Sequence, residues 1–490
     1  MASVRIVDTT LRDGNQSLWA CRMSVNDMAP AAADLDAAGF DGIEFFVASA
    51  QIARMVRDLH EDPWDWLRIG TSLFEETPLR LHGSMHSAFA PTPRVVQDMF
   101  LERIADMGVR ITRASDPWND PEGLRRTMAR MASKGIDTIA NVIYSVSPRH
   151  TVEYYAERTR QIAALKPLRL CFKDVGGLLT PDAARAVIPV VLEQAGDIPV
   201  EFHMHCTNGL AQWVCLEAVE LGVEIVHTSI PPLAEGSSLP DMFTLVRSLR
   251  ARGHEVALDT ERLRRTSEHF ELVARTSGLP VGAPQVFDET LYSHQTPGGM
   301  ISNLEFQLQK LRIHGRMPEV LDEIARVRAD LGYPIMVTPL SQFVGSQAVL
   351  NLVSGDRYAT VTDEIIGYAL GRWGAEAPDC MDADVRARIL DRARAKELEM
   401  KTSDEPDLDE VRSRYRAGMS DDELIARVFA GIGDEPLDLR AEDAVPRTYE
   451  EYAARREPAR ALLERLAATP DVRRFSLVLP EASLRLEAER

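Results

Sequence analysis

The sequence predicts a (β/α)8 TIM barrel followed by a mainly helical carboxyl-terminal domain. Short apolar runs alternate eight times with amphipathic stretches over roughly the first 250 residues, the span of such a barrel. Residues able to hold a metal stand where those runs end. The chain, at 490 residues and 45% hydrophobic, is long enough for a large core plus at least one further domain.

The runs Val4–Val7, Gly42–Phe46, Leu79–Leu81, Val109–Thr112, Thr138–Tyr144, Leu168–Phe172, Val200–His203 and Ile225–Thr228 read as buried parallel strands. Between them Met28–Ala38, Arg94–Met107, Glu122–Ser133, Val152–Leu165, Ala183–Gln194, Leu210–Leu221 and Met242–Arg250 read as amphipathic helices. This alternation suits a closed barrel better than a doubly wound sheet, and it puts the active site where strands end. The expected division is a barrel over 1–300, a helical domain over 301–400 packing over the barrel mouth, and a linker with a helical and hairpin tail over 401–490.

Lys173 closes an apolar run, where an ammonium is out of place. Burial lowers a lysine's pKa, and a neutral amine captures carbon dioxide to become an anionic oxygen ligand. His203 and His205, two apart at the end of a strand, share one face, and Asp13 follows the first strand. An aspartate, two histidines and a carbamylated lysine suit zinc, cobalt or manganese. Each residue also has a plain structural reading: Asp13 as a cap or as partner of Arg12, His203 as a hydrogen-bonded core histidine, Lys173 as partner of Asp174. Their shared position at strand ends favours the metal.

Asp8-Thr9-Thr10-Leu11-Arg12-Asp13-Gly14-Asn15-Gln16, Phe172-Lys173-Asp174, His203-Met204-His205-Cys206-Thr207, Pro297-Gly298-Gly299-Met300, Ser302-Asn303-Leu304-Glu305 and Val337-Thr338-Pro339-Leu340 stand in one order along the chain. From about Val4 to about Gly374 the chain resembles the carboxyltransferase domain of biotin-dependent enzymes: pyruvate carboxylase, the oxaloacetate decarboxylase α-subunit and the central subunit of transcarboxylase. The resemblance implies that Asp13, His203, His205 and carbamylated Lys173 hold the metal, that Arg12 and Gln16 orient a 2-oxo acid, and that Ser237 shuttles a proton. It implies transfer of a carboxyl group between carboxybiotin and an enolisable acceptor through an enolate, which a dication and Arg12 would stabilise. Ser237 reads equally well as the N-cap of the helix near Met242.

The chain also departs from the family pattern. His82 stands where the family has an arginine gripping the substrate carboxylate, so His82 is expected to hold a different substrate. Cys206 replaces a common aspartate, Ser237 a threonine, Gln285 a lysine near the biotin pocket, and Glu44-Phe45-Phe46-Val47-Ala48 a Glu-x-Trp-Gly-Gly signature. No Ala-Met-Lys-Met-like turn occurs, so biotin is expected in trans on a separate carrier protein, with a biotin carboxylase subunit as a further partner. The alternatives are a biotin-independent decarboxylase of a β-keto acid, or an aldolase or lyase of the isopropylmalate synthase or hydroxymethylglutaryl-CoA lyase type, which share the Asp-Thr-Thr-Leu-Arg-Asp motif but place no carbamylated lysine at the metal. Intact ligands at four positions argue against a non-catalytic scaffold.

Lys plus Arg is 56 and Asp plus Glu is 75, so 56 − 75 gives a net charge of −19, which disfavours nucleic acid and anionic membrane as partners. Five cysteines without a Cys-x-x-Cys pair fit a reducing cytoplasm. Neither a signal peptide nor a membrane span is expected, and a homodimer is. Beyond the barrel, Met317–Leu331, Ser341–Val353, Glu364–Leu370 and Val385–Ala395 predict helices, Lys401–Asp409 a linker, Asp421–Phe429 and Tyr449–Ala468 further helices, and Arg474–Leu479 with Ser483–Leu486 a hairpin. Such a thin tail is expected to dock onto the barrel or a dimer mate.

Overall fold

The computed structural model describes residues 2–83, 92–296, 301, 304, 308–309, 314–400, 405–439, 445–467, 469, 474–479 and 482–487. The Pro297–Met300 motif and Ser302, Asn303 and Glu305 lie outside the described residues.

Eight parallel strands close into a barrel in sequence order: β1 (Arg5–Asp8), β2 (Gly42–Val47), β3 (Leu79–His82), β4 (Ile111–Ala114), β5 (Asp137–Ile143), β6 (Arg169–Asp174), β7 (Val200–Met204) and β8 (Ile225–Thr228). The expected strands are all present, but β4 begins at Ile111 rather than Val109. Val109 instead gives its N–H to Ile104 and seals the end of the preceding helix. The helix expected from Met28 begins at Val25, because Ser24 and Asp27 form a reciprocal capping box. A helix over Thr260–Ser277, for which the sequence offered no separate expectation, lies beside it, and His269 Nε2 meets the Asp27 carbonyl at 2.7 Å.

The barrel interior is ionic at its centre. Arg80 on β3 reaches across to Glu201 on β7 at 2.8 Å and to Asp41 at 2.7 Å, and Arg169 on β6 shares Glu201 at 2.9 Å. Such charges remain buried only when paired, as these are. The apolar core lies outside the strands, between sheet and helices.

A second apolar cluster is built by helices between residues 317 and 400, with Leu304 and Leu308. Trp118, from the loop after β4, belongs to it, and the Arg149 guanidinium stacks over Trp118 at 4.5 Å. Arg328 donates to Ser145 Oγ and the Val146 carbonyl after β5. These contacts seat the helices on the β4–β5 sector of the rim where the strands end.

The tail docks onto the barrel's outer helices. Phe429 packs on Phe100 with ring centres 5.3 Å apart, Trp64 Nε1 donates to the Asp422 carbonyl, and Tyr452 OH donates to Asp27 Oδ1 at 2.8 Å. The predicted Tyr449–Ala468 helix is two, Tyr449–Arg456 and Pro458–Ala467, because the residue before a proline avoids helical geometry. The Val385–Ala395 segment likewise divides, into Ala383–Leu390 and Ala393–Met400. β9 (Arg474–Leu479) and β10 (Ala482–Glu487) pair antiparallel as the predicted hairpin. No helix among the described residues is long and apolar enough to cross a membrane.

Candidate active site

The loop leaving β1 builds one wall of the site. The N–H groups of Arg12, Asp13 and Gly14 all converge on the Thr9 carbonyl, winding a wide turn that faces Arg12 and Asp13 inward. Thr9 Oγ1 donates to the Thr228 carbonyl, and Thr10 Oγ1 both donates to Asp8 and accepts from the Ile230 N–H. Asp8, Thr9 and Thr10 therefore tie the exit of β1 to that of β8. Burial raises the Asp8 carboxyl to about 7. Gly14 is required by close approach: a Cβ there would lie 2.7 Å from the Leu233 carbonyl.

Asp13, His203 and His205 converge. Their ligand atoms lie within 4.8 Å of one another, with His203 Nε2 3.3 Å and His205 Nε2 3.6 Å from Asp13 Oδ2. Asp13 Oδ1 accepts from Ser17 Oγ at 2.8 Å. Burial works to raise the Asp13 carboxyl, but Arg12, 2.5 Å away, and His205 hold it well below the ordinary carboxylate range. Burial and Arg113 keep His203 neutral. His205 Nδ1 donates to the Ser237 carbonyl at 2.7 Å, and its Nε2 is left facing Asp13.

These residues fit a divalent metal. Asp13 Oδ2 and His203 Nε2 are buried, lie 3.3 Å apart and make no hydrogen bond, and a divalent ion held by both would satisfy them. Lys173 stands beside them, in register with His203 across the β6–β7 pair and buried. Burial, with Arg113 and Arg12 next in weight, brings its amine down to about 7 against the pull of Asp13 and Glu44. Asp174 does not pair with it but accepts from the Leu179 N–H at 2.7 Å.

Arg12 is held from behind. Glu44 on β2 accepts from Arg12 Nε at 2.9 Å and from Arg113 Nη2 at 3.0 Å, and all three side chains are buried. Arg113 also donates to Cys171 Sγ at 3.6 Å. Sequence reasoning missed Glu44 and Arg113 as site residues. Their signal was period-two spacing along β2 and β4, which sets a charge facing into the barrel.

Ser237 Oγ donates to the Ser17 carbonyl at 2.9 Å, beside the site, and the cap of the Met242–Ala251 helix is Asp241. His82 ends β3, half-buried; burial, then Arg12 and Lys173, hold its imidazole neutral well below its ordinary value. Gln16 is exposed on the short helix after Asp13, and among the described residues no hydrogen bond ties it to the cluster. The segment around Gln285 crosses the same mouth, where a Cβ on Gly209 would strike the Gln285 carbonyl at 2.2 Å.

A closed barrel carrying a carboxylate–imidazole cluster and a weakly basic lysine at its carboxyl end defines a class of barrel with a candidate metal site at that end. Comparison with known proteins narrows it. Residues 291–466 match the family model described as a conserved carboxylase domain, and residues 122–270 match one described as HMGL-like. A pyruvate carboxylase subunit of Methanocaldococcus jannaschii is 34% identical over 393 residues, covering 79% of this chain and 68% of that protein. The corresponding subunit from Methanothermobacter thermautotrophicus is 33% identical over 468 residues, covering 91% and 81%. The carboxyl transferase domain of Rhizobium etli pyruvate carboxylase, solved with pyruvate and biocytin, superposes with a TM-score of 0.77 at 25% identity, covering 87% of this chain and 75% of that one. The chain belongs to the carboxyltransferase family of the biotin-dependent, pyruvate-carboxylase-type enzymes.

Proposed function

We propose that this carboxyltransferase is metal-dependent and moves a carboxyl group between carboxybiotin, carried by a separate protein, and a 2-oxo acid or related enolisable acceptor. The observation that carries the reading is the convergence of Asp13, His203 and His205, with Lys173 in register beside His203. The neutral Lys173 amine would attack carbon dioxide. A nitrogen–carbon bond forms, one C=O electron pair moves to oxygen, and the amine proton leaves to water, giving a carbamate that completes a four-ligand set with Asp13, His203 and His205. When bound, zinc, cobalt or manganese supplies Lewis-acid polarisation of the acceptor carbonyl.

Arg12, fixed by Glu44 and Asp13, would stabilise the charge that develops on the enolate, and Gln16 is the second residue assigned to the acceptor. Ser237 Oγ would take the proton from the acceptor methyl carbon and pass its own to the biotin ureido nitrogen. The carboxyl group leaves that nitrogen for the carbon, so charge and protons balance. A neutral His82 offers the acceptor a hydrogen bond where a guanidinium would offer charge, which suits a group other than the pyruvate carboxylate.

Elemental analysis of Lys173→Ala tests the ligand assignment: loss of metal and of nearly all activity is expected, and stoichiometric metal would refute it. Affinity capture from native lysate is expected to recover a biotinylated partner. Its absence, with oxaloacetate decarboxylation intact, would favour the biotin-independent decarboxylase.

A further inference from the structure

We infer that His227, oriented by Glu201, is a positioning residue that fixes the tautomer of His203 and so aims the His203 Nε2 lone pair at the metal. This inference rests on the metal-centre reading of Asp13, His203 and His205.

The argument is one of donors and acceptors. Glu201 Oε1 takes hydrogen bonds from Arg80 Nη1 at 2.8 Å and Arg169 Nη1 at 2.9 Å, so the group is an ionised carboxylate that only accepts. Its Oε2 lies 2.9 Å from His227 Nε2, which must therefore carry a proton. One proton, placed on Nε2 by Glu201, satisfies the ring on that side, and a singly protonated His227 turns a bare Nδ1 the other way. That bare Nδ1 sits 3.0 Å from His203 Nδ1, and the contact is attractive only if His203 supplies the proton. With its proton on Nδ1, neutral His203 presents a bare Nε2 to Asp13 Oδ2 at 3.3 Å, and both atoms lack a hydrogen bond. The proton order from Glu201 to His203 is thus set three residues away from the metal position, by two guanidiniums.

The same residues suggest a different use, which the surroundings reject. Cys171, Glu201 and His227 also lie close enough to hold a metal. Cys171 Sγ, however, already receives Arg113, and Glu201 is shared by two guanidiniums, so a dication there would face three fixed positive charges. The cluster orders protons around the neighbouring site.

Nitrogen-15 NMR of the metal-free full-length protein, with the His203 signals assigned by loss in His203→Gln, is expected to show His203 protonated on Nδ1. In His227→Leu the population should move to the Nε2–H form, and the zinc Kd, measured by chelator competition, should weaken about 10- to 100-fold, the usual effect of removing a ligand's hydrogen-bond partner. Glu201→Gln should act in the same direction, because its amide can donate to His227 Nε2 and reverse the order. An Nε2-protonated His203 in the unmutated protein, or a zinc Kd changed less than twofold in a folded His227→Leu, would overturn the inference. So would a second equivalent of zinc lost in Cys171→Ser. Zinc retained in Asp13→Asn would instead refute the metal centre, leaving the metal-free spectrum to decide the role of His227.

Discussion

Replacing Glu44 with glutamine removes one negative charge from between two buried guanidiniums without changing side-chain size. Glu44 is 1% exposed, Arg12 3% and Arg113 0%, so water cannot take over the lost interaction. Arg113 would retain only the Cys171 thiol among its described polar side-chain contacts, while Arg12 would retain Asp13. Breaking a buried pair by deleting one partner costs about 3–5 kcal/mol, and Glu44 serves two partners, which places the expected loss near about 5 kcal/mol. The functional effect should run through Asp13: Arg12, deprived of Glu44, would pull on the carboxylate that faces His203 and His205, and zinc should bind more weakly. The assay is the urea midpoint together with the zinc Kd by chelator competition. Glu122→Gln, which disturbs the exposed pair with Arg125, serves as a control expected to leave both unchanged. A loss below about 1 kcal/mol, the size of an exposed ion pair, with unchanged zinc affinity would refute the role of Glu44 as shared counter-ion.

Lys173 is neutral above its pKa, so at fixed dissolved carbon dioxide the initial rate of carbamate formation should fall as pH drops through about 7. Between pH 8 and pH 6 the decline should be roughly tenfold, against roughly a hundredfold for an ordinary lysine. Carbon-13 NMR with labelled bicarbonate follows it, and a signal that survives Lys173→Ala would assign the carbamate elsewhere. His82→Arg should improve kcat/KM for pyruvate or oxaloacetate about tenfold or more, the value of one charge-assisted contact; an unchanged 2-oxo acid preference in steady-state kinetics would remove His82 from specificity. Phe429→Ala should weaken tail docking by about 3–5 kcal/mol, the usual range for a buried aromatic. Limited proteolysis should then cut within 408–456 while the barrel stays folded.

The barrel and the strand-end positions of Asp13, Lys173, His203 and His205 were legible because their signals are local. Eight apolar runs of strand length predict the sheet, and a lysine or histidine ending such a run stands out. Glu44 and Arg113 escaped because their partners lie on other segments of the chain: Glu44 was counted within an apolar run, and placing the fourth strand at Val109–Thr112 left Arg113 just outside it. His227 lay inside a correctly placed strand, but its meaning depends on Glu201 and His203 from the next strand. Ser237 could not be separated from a helix cap until Asp241 was seen to hold that position. The docking of Tyr452 on Asp27 joins residues 425 apart, a separation no local pattern encodes.

The four guanidiniums of Arg12, Arg80, Arg113 and Arg169 stand against the four carboxylates of Asp13, Asp41, Glu44 and Glu201, and 4 − 4 leaves these eight side chains without net charge. An altered charge anywhere in that lattice is sensed by its neighbours on the facing strands. Redesign of this lining should therefore proceed by compensating exchanges, a cation and an anion altered together.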